Sequence, residues 1–470
     1  MQLRHLGRIL SIVLLASFCL SACKCQKKQT PTEAQAKSAS ISEGLKGVTK
    51  LVYQYPEIRW LANAEVRKTE EGNATADKPY SEQLFGQKFI EFDRSIMSLH
   101  CLKLILDGSE TSYQQFTAAQ PDNVKLTKMS FQILHEQGMA LLNSNYQGMS
   151  AAEMQQALET ALVLGDMGKS EKARAIFKKA TAPDHDDFHG QAMLILKDQP
   201  GLSRSFARLP FRSKQLLIKV ANLAHYGHIT HLEGGPSMFS KLKQSNIPAT
   251  DLTALSFDLF VHTCDVAGAL GHVNNSSSVV YTEATHRAMQ AMAAASRVLS
   301  DPSKTEVDAY DAYVAIRASW LGLNPADRDD RVLTRIAAML RLFTPEEGAA
   351  LKNAILQLNV PDREMIANQL DVRLGEEIGR TPTYMPAVLV NLYNNNNLGA
   401  TSPERLSQAV IRGLPFLAKV LQQHKGQLLQ QQADPEVPLN FNKVAGVAKS
   451  TPDLLNNPFT ITADGSVVIQ

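Results

Sequence analysis

Between Leu51 and Leu429 the apolar residues fall into successive clusters at helical spacing, and no regular alternation of strand and helix patterns interrupts them. Such a chain must bury helix against helix, because it offers no parallel sheet for the helices to cover. Phe89, Phe92, Ile96 and Leu99 mark one helix that continues through Leu106 and stops at Asp107-Gly108. The same periodicity predicts helices over 127–143, 150–164, 170–180, 211–232, 251–271, 282–299, 305–321, 329–343, 346–357, 361–377 and 403–424. Thr344, Pro345 and Glu347 place a hydroxyl cap, a preformed first turn and a capping-box carboxylate in order, whereas Ser402-Pro403 repeats only the cap and the proline. Residues 394–397, all Asn, read as a polar loop, and 460–462 with 467–469 flank Asp464-Gly465 as a small C-terminal β-hairpin. The expected fold class is therefore all-α, a multi-helix body with that hairpin. At 44% hydrophobic and 20% charged residues over 470 positions, the chain has the apolar content for a sizeable core.

The N-terminus carries a different signal. Arg4 and Arg8 precede an apolar run over 9–20, too short to span a bilayer but long enough for an export signal. Leu20-Ser21-Ala22-Cys23 resembles the bacterial lipobox, and the resemblance implies cleavage after Ala22 and acylation of Cys23, palmitate included. The bland rival is a plain signal peptide followed by a disulfide-bonded cysteine. Lys24 in place of Asp implies the outer membrane, with several acyl chains anchoring the protein through buried CH₂ groups at about 0.8 kcal/mol each. The expected organisation is a signal peptide over 1–22, a lipidated flexible tether over 23–44, helical regions over 45–125, 126–300 and 301–450, and a terminal extension with the hairpin over 451–470. Lys24, Lys27 and Lys28 suit either anionic headgroups or a solvated linker. After cleavage Cys25, Cys101 and Cys264 remain with Cys23; they form no dense disulfide framework, although an oxidising compartment permits one bridge.

A formal net charge of +2 gives no field for nucleic acid, so none is expected as a partner. Aromatic residues at 6% advertise no stacking platform. No Walker loop, dinucleotide-binding glycine fingerprint or His-Glu-x-x-His pattern occurs, and no serine sits in a nucleophile elbow. Asp184, Asp186 and Asp187 lack the ordered calcium-loop pattern and read as a solvated loop around His185.

The chemistry concentrates between residues 135 and 286. His225, His228 and His231 recur every third position on one expected helix, while Asp258, His262 and Asp265 form a nearly vertical row on the next. Glu233, His272, Glu283 and His286 supply further donors. Imidazole and carboxylate together suit Fe, Mn or Zn and can leave positions for water and substrate; the alternative is a set of structural His–Asp hydrogen bonds.

The run Leu164-Gly165-Asp166-Met167-Gly168-Lys169 resembles the central motif of the HD-domain metal-dependent phosphohydrolases, with Asp166 and Lys169 retained and Gly165 where the motif has His. Upstream His135, then His185 or His189, His225 or His228, and Asp265 complete a stretched version of that pattern within 128–270. The resemblance implies HD-like helical packing and hydrolysis of phosphate esters with one or two divalent ions. It places the metal on some of His135, Asp166, His185, His228, His262 and Asp265, with Asp166, Lys169 and Asp265 as catalytic residues. The bland reading of Gly165 and Gly168 is a turn between packed helices, and 157–180 is similar to one tetratricopeptide hairpin, which gives helical-repeat-like packing as the other option. Two functions are expected to compete. One is a cell-envelope lipoprotein with a divergent metal-binding phosphohydrolase domain acting on a phosphate-containing small molecule. The other is a noncatalytic envelope scaffold that binds another envelope protein.

Overall fold

The computed structural model of the chain describes residues 45–62, 78–371, 377 and 379–470. The expected signal segment, Cys23 with its lipid, and the tether lie outside the described residues. The remainder is predominantly helical, with one two-stranded sheet. Most helix starts are set by local caps. Ser150 accepts from the Glu153 amide while the Glu153 carboxylate returns to the Ser150 amide at 2.8 Å, opening the helix Ala151–Gly165. Thr344 and Glu347 close the same box at Pro345–Leu356. At the helix Ser402–Leu429 the cap is Thr401, one residue before the expected Ser402, and Glu404 completes a box that the Ser402-Pro403 reading lacked.

The largest departure from periodicity falls within 211–232. Two helices occupy it, Phe211–Val220 and Tyr226–His231, rather than one. Ala221 leaves helical geometry with ψ 121° and Asn222 takes φ +61°. The Asn222 amide donates to Asp187 Oδ1 at 3.0 Å, a tertiary bond that a continuous helix would forgo. The helix expected over 170–180 runs only Glu171–Ile176, because Phe177 turns into the core.

Buried side chains form two clusters. One gathers residues from Val48 to Val314 with Ala338. The other gathers Leu321 to Val467, and includes the packing of Ser402–Leu429 on Met385–Tyr393. The antiparallel strands Phe459–Ile461 and Val467–Ile469 close the second cluster, with Phe459 edge-on to Phe416 at 5.5 Å. In the first cluster Ile90–Asp107 and Leu252–Gly268 lie in very close contact. A Cβ on Gly268 would fall 2.3 Å from Ser98 Oγ, and one on Gly271 2.3 Å from the Asp93 carbonyl oxygen. Only glycine allows that approach, and it fixes the register of a helix bearing Asp258, His262 and Asp265. Cys101 and Cys264 are buried, free thiols on these same two helices. Among the described residues no helix is long and apolar enough to cross a membrane.

Candidate metal centre

The helix His185–Asp198 begins the site. Asp184 caps it by accepting from the amides of Asp186 and Asp187 at 2.9 and 3.0 Å, so the acidic run is a helix start rather than a free loop. That start puts His185 and Asp186 in the first turn and His189 one turn further along the same face. The turn Met167–Lys169 presses against it. A Cβ on Gly168 would stand 2.1 Å from the His185 carbonyl oxygen, so glycine here holds His185 in place.

His225 arrives from the break between Phe211–Val220 and Tyr226–His231. Its ring caps the second helix, with Nδ1 accepting from the His228 amide at 3.2 Å. Its Nε2 lies 3.2 Å from Asp186 Oδ2, and His185 Nε2 lies 3.3 Å from Asp186 Oδ1. Donor atoms of His185, Asp186 and His225 all fall within 4.8 Å of one another, a spacing that can hold a divalent ion. The imidazoles of His189 and His225 differ in which nitrogen carries the proton. His189 Nδ1 donates to the Leu164 carbonyl at 3.0 Å, which makes Nε2 the acceptor nitrogen of that ring. In His225 the cap bond keeps the proton on Nε2. Ligation there requires that proton to move or leave and the long cap bond to yield.

These groups line a cavity of about 380 Å³ together with Arg94, Asp166, Lys169, Asp258, His262 and Asp265. At the charged end Lys169 Nζ pairs with Asp166 at 2.7 Å and Glu91 at 3.2 Å; Arg94 reaches Glu91 at 3.1 Å and Asp265 at 3.9 Å. Burial works against the Asp166 charge, but Lys169 and Arg94 hold its carboxyl below the ordinary range. Burial pushes Asp265 up, and the neighbouring Asp166 carboxylate adds to that. Asp258 accepts from the Tyr226 hydroxyl at 2.8 Å, yet burial pushes it up to about 7. Burial likewise lowers the imidazoles of His189 and His225, and takes His262 to about 4 with the help of His225. Neutral rings at physiological pH are the form that ligates metal.

Of the residues picked out by sequence, Asp166, Lys169, His185, His262 and Asp265 meet around this one cavity. His228 lies behind it, its ring centroid 3.6 Å from that of His225 with the planes tilted by 43°, and burial drives its pKa to about 2. His135 lies elsewhere. Its Nδ1 donates to the Ile105 carbonyl at 3.0 Å and its ring fills the space above Gly108. Glu283 caps the 128–142 helix by accepting from the Thr127 amide and Ser130 hydroxyl, both at 2.8 Å. Asp186 and Arg94 were not singled out as site residues. Asp186 carried a signal, since it follows His185 directly; Arg94, on a helix more than sixty residues away in sequence, carried none.

The family model described as "Family of unknown function (DUF6829)" matches residues 50–452. The chain belongs to that family. The match takes in most of both hydrophobic clusters and every residue lining the cavity, so the candidate centre lies inside the region the family shares. No curated protein and no solved structure matches the chain.

Proposed function

We propose that this member of the family is a lipid-anchored envelope protein whose central cavity holds Fe, Mn or Zn and hydrolyses phosphate esters. The observation that carries the reading is the convergence of His185, Asp186 and His225 within 4.8 Å in a cavity that also contains Arg94 and Lys169. A divalent ion in such a site lowers the pKa of a bound water and polarises a phosphoryl oxygen. The donor set fits: two imidazoles and one carboxylate, with His189 lining the same cavity. Lys169 and Arg94 bind the phosphate oxygens, and Arg94 Nε, buried with no acceptor among the described residues, is a donor left for them. Asp166 stays ionised and positions Lys169. Asp265 keeps its proton to higher pH than an exposed carboxyl and gives it to the leaving oxygen.

The HD-like reading gains from one feature of the chain. The vicinal His–Asp pair missing at Gly165-Asp166 is present at His185-Asp186. Anchoring through acylated Cys23, with Lys24 directing the protein to the outer membrane, completes the proposal.

The test is metal analysis of the purified chain, then hydrolysis of p-nitrophenyl phosphate and its bis-ester. His185→Ala and His225→Ala should each lose the ion and fall about 100-fold or more in rate. Arg94→Ala and Lys169→Ala should keep the ion and lose rate. Unchanged metal stoichiometry in both histidine variants would remove the centre, and a metal-loaded but inert protein would leave the scaffold function in its place. Cys23→Ala should abolish palmitate labelling and release the chain from membranes; persistent labelling would refute the anchor.

A further inference from the structure

The helix Leu252–Gly268 is a wall shared by two cavities. One face carries Asp258, His262 and Asp265 into the metal-site cavity, and another carries Leu259, Phe260 and Thr263 into a separate cavity of about 300 Å³. The other walls of the second cavity are Lys128–Leu142 and Glu283–Val298. Glu283 ties their N-terminal ends, and Gln137 Nε2 donates to Gln290 Oε1 at 2.9 Å midway. The cavity is lined by the glutamine pair, by Leu141, Met289 and Met292, and at its exposed edge by Arg297 in the last turn of Glu283–Val298.

Most of the polar side chains along its walls are already hydrogen-bonded. The two glutamines bond each other, Thr263 Oγ1 donates to the Leu259 carbonyl at 2.9 Å, and Ser144 Oγ donates to the Leu141 carbonyl at 2.8 Å. What remains is the hydroxyls of Thr253 and Ser256 and the apolar surface of Leu141, Leu259, Phe260 and two methionines, whose thioethers adapt to variable shapes. The rim is the opposite. Arg297 is exposed and makes no ion pair among the described residues. A mainly apolar cavity with one free guanidinium at its edge selects by both ends: apolar chain inside, anion outside.

We propose that this cavity binds an aliphatic monocarboxylate, with its chain toward the Gln137–Gln290 pair and its carboxylate on Arg297. The seven-residue step from Gln290 to Arg297 is about 10 Å of helix, which a chain of roughly eight to ten carbons fills. This site is independent of the metal centre and of what that centre does.

The probes are decanoate and decanol, titrated calorimetrically into the full-length protein. Wild type binds decanoate saturably, with a negative heat-capacity change from apolar burial. Decanol binds at least about tenfold more weakly, and Arg297→Gln weakens decanoate by a similar factor. Ala293→Phe, which fills the cavity without touching the rim, abolishes binding while circular dichroism stays native. If that variant does not fold, Arg297→Gln, at an exposed position, decides alone. No saturable decanoate binding, equal binding by Arg297→Gln, or equal affinity for decanol would each overturn the proposal.

Discussion

Gly165 and Gly168 stand three residues apart in the run that resembles a metal motif, yet space treats them in opposite ways. Nothing lies within 4 Å of a Cβ built on Gly165, at the exposed end of its helix, whereas a Cβ on Gly168 would strike the His185 main chain. Sequence draws attention to Gly165, as the position of an absent ligand. Packing draws it to Gly168, whose role depends on a helix start that sequence leaves unplaced. Gly165→Ala should therefore stabilise the protein by about 0.5 to 1 kcal/mol, the ordinary gain over glycine in a helix. Gly168→Ala should destabilise it by about 1 to 3 kcal/mol through overpacking and reduce bound metal by displacing His185. Urea denaturation with parallel metal analysis separates the two. Equal stability of the two variants would show that the turn at 167–169 does not brace the site.

Helices were legible where a recognised cap coincided with an apolar period, as at Thr344-Pro345-Glu347, but not at His185–Asp198, although Asp184 caps it and Phe188, Ala192, Met193 and Leu196 repeat at helical spacing. They were misread where a tertiary bond outcompetes periodicity, as at Asn222, and that misreading hid how His225 reaches the cavity. On one continuous helix His225, His228 and His231 fan around the axis; with the break, His225 becomes a cap and its ring turns toward Asp186. Thr401 was missed for a smaller reason: Ser402-Pro403 fits the pattern of a cap followed by proline, but the Thr401-x-x-Glu404 capping box starts the helix one residue earlier and leaves Pro403 as its second residue. Thr401→Ala should cost about 1 kcal/mol and Ser402→Ala close to nothing, read from thermal unfolding of the two variants. The reverse order would restore Ser402 as the cap.

Over the whole molecule, sequence identified most of the groups that ring the cavity but could not say which ones meet, because the elements involved, 90–107, 167–169, 185–198, 225 and 252–268, are brought together only by packing. The same holds for the join between the two hydrophobic clusters, where sequence gave Glu233 no more than a place among spare donors. There Arg335 is buried and donates to the carbonyls of Leu232 at 2.8 Å, Glu233 at 2.6 Å and Leu370 at 2.9 Å. Its hydrogen bonds go to main chain, so the Glu233 carboxylate next to it keeps Oε2 without a partner among the described residues. Burial pushes that carboxyl from its ordinary 4.5 up to about 8, with Arg335 only partly opposing. A raised acid binds its proton more tightly when folded. Between pH 4.5 and about 8 the folded chain keeps a proton that the unfolded chain has released, so stability is greatest at the acid end and falls as pH rises through that window. The slope for one such group approaches about 1.4 kcal/mol per pH unit and levels off once the folded carboxyl has also ionised. Glu233→Gln keeps the shape and removes the titration, so urea midpoints for that variant should lack this component and exceed wild type most at the alkaline end. A variant that retained the full wild-type pH slope would mean that Glu233 ionises normally and that the join between the clusters is open to water.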